Sequence, residues 1–211
     1  MTPHLLAALL AASTPLVALA DRGALSVEAG GVLAGVRAEP AVGAGDPVTG
    51  TVAGVTIGTR YALSNRLEVM GTVDWFAAAP FYNDDTVITT GNGTFRGQLQ
   101  GRLSRYSAKL GAQYVQGLTW RVRVGGEIGW TRVITERLDL VDLTPAVPRS
   151  FGLGLGARRE DHLVVTGLAG VEWAVSDHVS FAITPRVEFP FGGGLMAMTV
   201  PLTVSYSWYM L

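Results

Sequence analysis

The chain has 211 residues, 48% of them hydrophobic and only 16% charged, with a formal net charge of −1 and no cysteine. That length suits one domain, and the near-zero charge gives no field to concentrate nucleic acid. The lack of cysteine excludes disulfides, thiolate metal sites and a cysteine nucleophile.

Residues 1–20 come first. Leu5 to Ala12 form an apolar core, Pro15 interrupts it, and Ala18-Leu19-Ala20 is a small-x-small cleavage site before Asp21. This pattern predicts a secretory signal peptide removed after Ala20, leaving 21–211 as the mature domain. Beyond it, no stretch reaches the roughly eighteen consecutive apolar residues of a spanning helix.

From Leu25 onward the hydrophobic period is close to two, which predicts strands. The first block, Leu25 to Val36, is rich in Gly and Ala and marks its polar side only with Glu28. In the second, Val55, Ile57, Tyr61 and Leu63 oppose Thr56, Gly58 and Arg60. The third sets Leu67, Val69, Val73 and Trp75 against Glu68, Met70, Thr72 and Asp74. In the fourth, Tyr106, Ala108, Leu110 and Tyr114 oppose Ser107, Lys109 and Gln113. The fifth is the most regular: Trp120, Val122, Val124, Ile128 and Trp130 face one way, and Arg121, Arg123 and Glu127 the other. Leu163, Val165, Val171 and Trp173 oppose His162, Thr166 and Glu172 in the sixth. The seventh sets Val179, Phe181, Ile183, Val187 and Phe189 against Ser180, Thr184, Arg186 and Glu188. The eighth opposes Val200, Leu202, Val204, Tyr206 and Trp208 to Thr199, Thr203, Ser205 and Ser207. Pro185 and Pro201 each remove a ladder donor, so broken pairing or a bulge is expected there.

Connections alternate in length. Short turns fall at Ser64-Asn65, Gln116-Gly117-Leu118 and Ser176-Asp177. Long connections are expected over 38–48, 77–101, 134–161 and 192–197. Eight strands joined this way put the short turns and both ends on one rim, as in transmembrane barrels. The expected fold is therefore all-β: an eight-stranded, antiparallel, up-and-down transmembrane β-barrel.

Aromatics near both ends of the apolar faces fit lipid-facing girdles. Tyr61, Tyr114, Trp120, Trp173, Phe181 and Trp208 lie near the short turns, and Trp75, Tyr106, Trp130 and Phe189 near the long connections. The ten residues from Trp120 to Trp130 rise about 25 Å along a tilted strand, the height of such a band. The polar face would then line a narrow lumen. There Arg60, Lys109, Arg121, Arg123 and Arg186 are expected to pair with Glu28, Glu68, Asp74, Glu127, Glu172 and Glu188, because buried charges need partners.

With these features the chain resembles the small eight-stranded outer-membrane barrel superfamily, which includes the OmpA membrane domain, OmpX, OmpW and the opacity-type adhesins. The likeness rests on the Trp120 to Trp130 strand and on the apolar-aromatic ending Val204-Ser-Tyr-Ser-Trp-Tyr-Met-Leu211. It implies a Gram-negative outer-membrane location, contact with lipopolysaccharide and recognition by the barrel-assembly machinery. Leu211 departs from the aromatic residue that usually ends such chains.

Eight strands leave an interior that side chains fill, so a plugging ion-pair network is expected before a pore. A structural or surface-recognition role through long loops is the primary expectation, with an extracellular ligand on the loops as partner. A narrow solute channel and a lipid-modifying enzyme are the alternatives. His162, near Glu160, Asp161 and Ser150, is the sole catalytic candidate, and His178 lies at the opposite rim. With no nucleophile, base and orienting acid in one place, no enzyme is expected. No ligand spacing suggests a metal or cofactor, Asp84-Asp85 being a lone acidic pair. The segment 134–161, which carries Leu138, Leu140 and Phe151, is expected either as a lid over the mouth or as a binding loop.

Overall fold

The computed structural model describes residues 22–38, 44–45, 48–90, 93–142, 149–152, 158–192 and 196–209. The proposed leader, residues 91–92 of the expected Gly91-Asn92-Gly93 turn, and Met210 and Leu211 lie outside them.

Eight antiparallel strands form the wall. These are β1 (Ala24–Ala38), β2 (Val48–Ala62), β3 (Leu67–Thr90), β4 (Gly93–Gly117), β5 (Trp120–Asp142), β6 (Arg158–Ala174), β7 in two pieces (Val179–Ile183 and Arg186–Pro190) and β8 (Met196–Tyr209). Two short pieces add to the edges: Ala44–Gly45 pairs with β3, and Arg149–Gly152 with β5. Each strand pairs with the next, and β8 returns to pair with β1 from Ala24↔Tyr209 to Arg37↔Met196. The sheet is closed, so no edge is left for hydrocarbon to strand.

The registers fix the barrel's dimensions. Stepping across the ladders, Leu25 leads to Tyr61, Val69, Ala112, Gly126, Gly167, Val187, Met198 and back to Gly35 on β1. The walk returns ten residues further along (35 − 25), a stagger that tilts eight strands by about 40° at a radius near 8 Å.

Turn chemistry follows the sequence. Ser64 Oγ accepts from the Leu67 amide (3.1 Å), Ser176 Oγ from the Val179 amide (3.1 Å), and Gly117 takes φ +123°. A side chain is strained at that φ, and a Cβ on Gly117 would meet the Trp120 carbonyl at 1.9 Å. β7 breaks at Thr184-Pro185, where Pro185 has no amide to donate, although its carbonyl still accepts from Ala169 N–H (3.1 Å).

Two expected connections are largely strand. Segments 77–101 and 134–161 were expected as loops, yet β3 and β4 pair out to Thr90↔Gly93 and β5 runs to Asp142. The reason is a change of phase. β3 carries register shifts between Phe76 and Ala79 and between Asn83 and Thr86, and the β4–β5 ladder shifts between Gln100 and Arg102. Each inserted residue flips which parity faces inward, so an uninterrupted period of two is lost while pairing continues.

Candidate functional site

The alternation sorts by chemistry. The outward face carries Val27, Ile57, Val73, Leu110, Val122, Ile128, Leu163 and Leu202, all exposed. The ten girdle aromatics Tyr61, Trp75, Tyr106, Tyr114, Trp120, Trp130, Trp173, Phe181, Phe189 and Trp208 all face outward too. Near the short turns Trp120 stacks on Trp173 (5.8 Å), and Trp173 tilts against Phe181 (6.2 Å). The inward face buries the charges, which collect in two layers.

In the layer nearer the short turns, Arg60 lies between three glutamates. Its Nε is 3.2 Å from Glu28, and its Nη1 is 3.1 Å from Glu68 and 3.5 Å from Glu172. Arg123 donates from Nε to Glu172 (2.8 Å), and its Nη1 lies 3.5 Å from Glu28. Gln113 also donates to Glu68 (2.6 Å), and Ser180 donates to Glu172.

In the second layer, Lys109 Nζ bridges Asp74 (2.8 Å) and Glu188 (2.9 Å). Arg186 reaches Asp74 at 3.4 Å and Glu127 at 3.9 Å, while Thr72 donates to Glu127 (2.8 Å). Glycines make the room for these long side chains. A Cβ on Gly129 would stand 2.7 Å from Lys109 Cγ and 2.2 Å from the Ala108 carbonyl.

Two arginines mark the ends of the network. Arg121 keeps the inward parity of Arg123 and lines the short-turn mouth of the lumen with Arg60, Glu68 and Glu172; it is only partly buried there, and its Nε donates to the Leu118 carbonyl (3.1 Å). Arg105, not foreseen, is buried in the second layer, paired with Glu188 and 5.4 Å over the Phe76 ring. Its signal was available: it stands two and four residues before Ser107 and Lys109, on the same face.

Beyond Arg105 the lumen changes character. Val32, Val36, Val52, Phe76, Phe81, Leu99, Leu103, Val133 and Leu140 form one buried apolar cluster across β1 to β5. The ion-pair network thus fills only the lower part of the interior; the upper end is largely apolar, with Asn83 and Thr86 also buried there. Leu140, from segment 134–161, is part of this plug.

The catalytic candidates stay apart. His162 Nε2 is 3.4 Å from Glu160, and His162 pairs with Thr131 in register. Ser150 pairs with Val141, ten residues further along β5, or roughly 33 Å of strand. His178 bonds the Ser207 carbonyl (3.0 Å) at the other rim. Among the described residues no cluster of His, Asp and Glu has the geometry to hold a metal.

Outside the upper girdle, Arg132 makes two bonds to Asp161 (2.9 and 3.0 Å) and lies 5.0 Å over Trp130. The hydrogen bond from Arg132 holds the Asp161 carboxyl below its ordinary range.

A closed barrel, apolar outside and ionic within, across a band about 25 Å tall, is an integral β-barrel membrane protein. Its fold is that of the small eight-stranded barrels known from bacterial outer membranes. Ail, the attachment invasion locus protein of Yersinia pestis, is similar in structure with TM-score 0.53 at 13% identity, over 89% of this chain and 99% of that one. Neisserial surface protein A gives 0.54 at 14% identity, over 88% and 99%. OprG of Pseudomonas aeruginosa gives 0.55 at 11% identity, over 90% and 98%. No protein-family model matches the chain, and no curated protein matches it by sequence.

Proposed function

We propose that this protein is a sealed outer-membrane barrel whose work is done at the cell surface, as a structural or recognition element presented by its long hairpins. The observation that carries this reading is the pairing of a closed lumen with a projecting sheet. Two ion-pair layers and an apolar plug fill the interior in series. Meanwhile β3 continues from Trp75 to Thr90 and β5 from Trp130 to Asp142, roughly 30 Å past the upper girdle. An ion crossing the plug would lose its water without gaining a partner. The separation of His162 from Ser150 and His178 supports a role other than catalysis.

The same reading makes residues 1–20 a cleaved leader, with Asp21 the first residue of the mature chain. It makes outer-leaflet lipopolysaccharide the lateral partner and the outward series Val204, Tyr206 and Trp208 part of the signal read by the barrel-assembly machinery. A ligand on the projecting hairpins is the remaining partner.

The test combines two measurements on one purified, heat-modifiable protein. In planar bilayers the intact barrel should give no stepwise conductance; reproducible steps would favour a narrow solute channel instead. Cells carrying a version with 81–99 replaced by a tight turn should lose surface attachment while keeping the folded gel mobility. Unchanged attachment would leave a purely structural role.

A further inference from the structure

We propose that the outer wall at the upper end of β1 seats one phosphorylated, acylated lipid of the outer leaflet, with its phosphate on Arg37 and an acyl chain in the notch beside Gly35. The proposal rests on the outer-membrane reading above and adds a place and a chemistry to the lipid contact.

The notch comes from one missing side chain. Val187, Met198, Gly35 and Thr51 form a row of register partners across β7, β8, β1 and β2. Val187 and Met198 stand outward and exposed, and Thr51 is exposed as well. A Cβ on Gly35 would meet nothing within 4 Å, so no neighbour's packing requires glycine there. The result is an open groove of about 770 Å³ whose lining includes Gly35, Met196, Met198 and Val187, with Arg37 and Tyr82. Methionine adapts to irregular apolar partners, which suits a disordered chain.

The groove is polar at one end only. Across tilted strands the row climbs about 3 Å per strand, and each residue along β1 adds about 2.5 Å. Arg37 therefore stands roughly 6 Å above Phe189 of the upper girdle, at the depth where lipid phosphates begin. It is exposed and has no hydrogen-bond or ion-pair partner among the described residues. Two other arginines of the upper outer wall are engaged: Arg132 is held by Asp161, and Arg102 donates to the Ala78 carbonyl (3.4 Å). A guanidinium presents a planar fork that matches phosphate oxygens two at a time. Apolar floor below and exposed guanidinium above fit a lipid with a phosphate near its chains, and a bare acyl chain would use only half the site.

Native mass spectrometry of the folded, detergent-purified protein tests this, with diphosphorylated lipid A as probe beside lipid A stripped of phosphate. The wild type should retain one diphosphorylated lipid. Arg37→Gln should retain it about tenfold less, the cost of one charge-assisted contact, while Arg159→Gln, also exposed, should match the wild type. Gly35→Leu should lose both probes by filling the notch. Equal retention by wild type and Arg37→Gln, or of both probes by wild type, would overturn the site. Gel mobility of each variant reports folding separately, and absence of the wild type from outer-membrane fractions would overturn the broader reading instead.

Discussion

Below the upper girdle the lumen is closed by Arg60, Lys109, Arg123 and Arg186 with their carboxylates; above it, the same strands close over Phe76, Phe81, Leu99 and Leu103. The change follows what lies outside the wall. Where the outer face meets hydrocarbon it must be apolar, and a polar inner face keeps each strand from becoming one continuous apolar run. Past the girdle the outer face carries Arg102, Gln100, Arg96 and Glu136 toward water, and the inner face becomes an ordinary hydrophobic core. One barrel is therefore inside-out in the membrane and conventional above it.

Breaking the ionic zone should cost most. Lys109→Met leaves Asp74 and Glu188 short of a partner and should destabilise by about 3–5 kcal/mol in urea unfolding from lipid vesicles. A loss under about 1 kcal/mol would mean that water enters and solvates this layer. In the apolar zone, Phe76→Ala should cost about 3 kcal/mol by the same assay. It should still give no conductance, because the two ionic layers below remain; steps in a planar bilayer would show the plug to be the real barrier. Thr166 has a buried hydroxyl with no partner among the described residues, so Thr166→Val should be neutral or stabilising by up to about 1 kcal/mol.

The smallest effect lies at the surface between the zones. Asp161 has its folded pKa depressed by Arg132, so its contribution is present above the unfolded carboxylate range and is lost as pH falls through the folded value. The melting-temperature gap between wild type and Asp161→Asn should be small at neutral pH and close on acidification. A gap that widened instead would reverse the assignment.

The membrane zone was legible because pairing there is unbroken from Leu67↔Tyr114 to Phe76↔Arg105, so parity alone tells lipid from lumen. The upper zone was not, for two physical reasons. Bulges at Phe76/Ala79 and Asn83/Thr86 reset the phase twice within β3, and an apolar inner face opposite a mixed outer face no longer looks like a membrane strand. Arg105 was missed at that boundary, where charge gives way to Phe76. Which arginine pairs with which glutamate was out of reach of a linear pattern, because Arg60 on β2 meets Glu172 on β6 across the lumen.

Lys109 is the only lysine among sixteen basic residues, and it is buried between two carboxylates. An amine-selective reagent meeting the intact protein can therefore modify the chain's amino terminus and nothing else until the wall comes apart. The rate at which a second label arrives would clock barrel opening directly, in living cells as well as in vesicles, without any engineered probe.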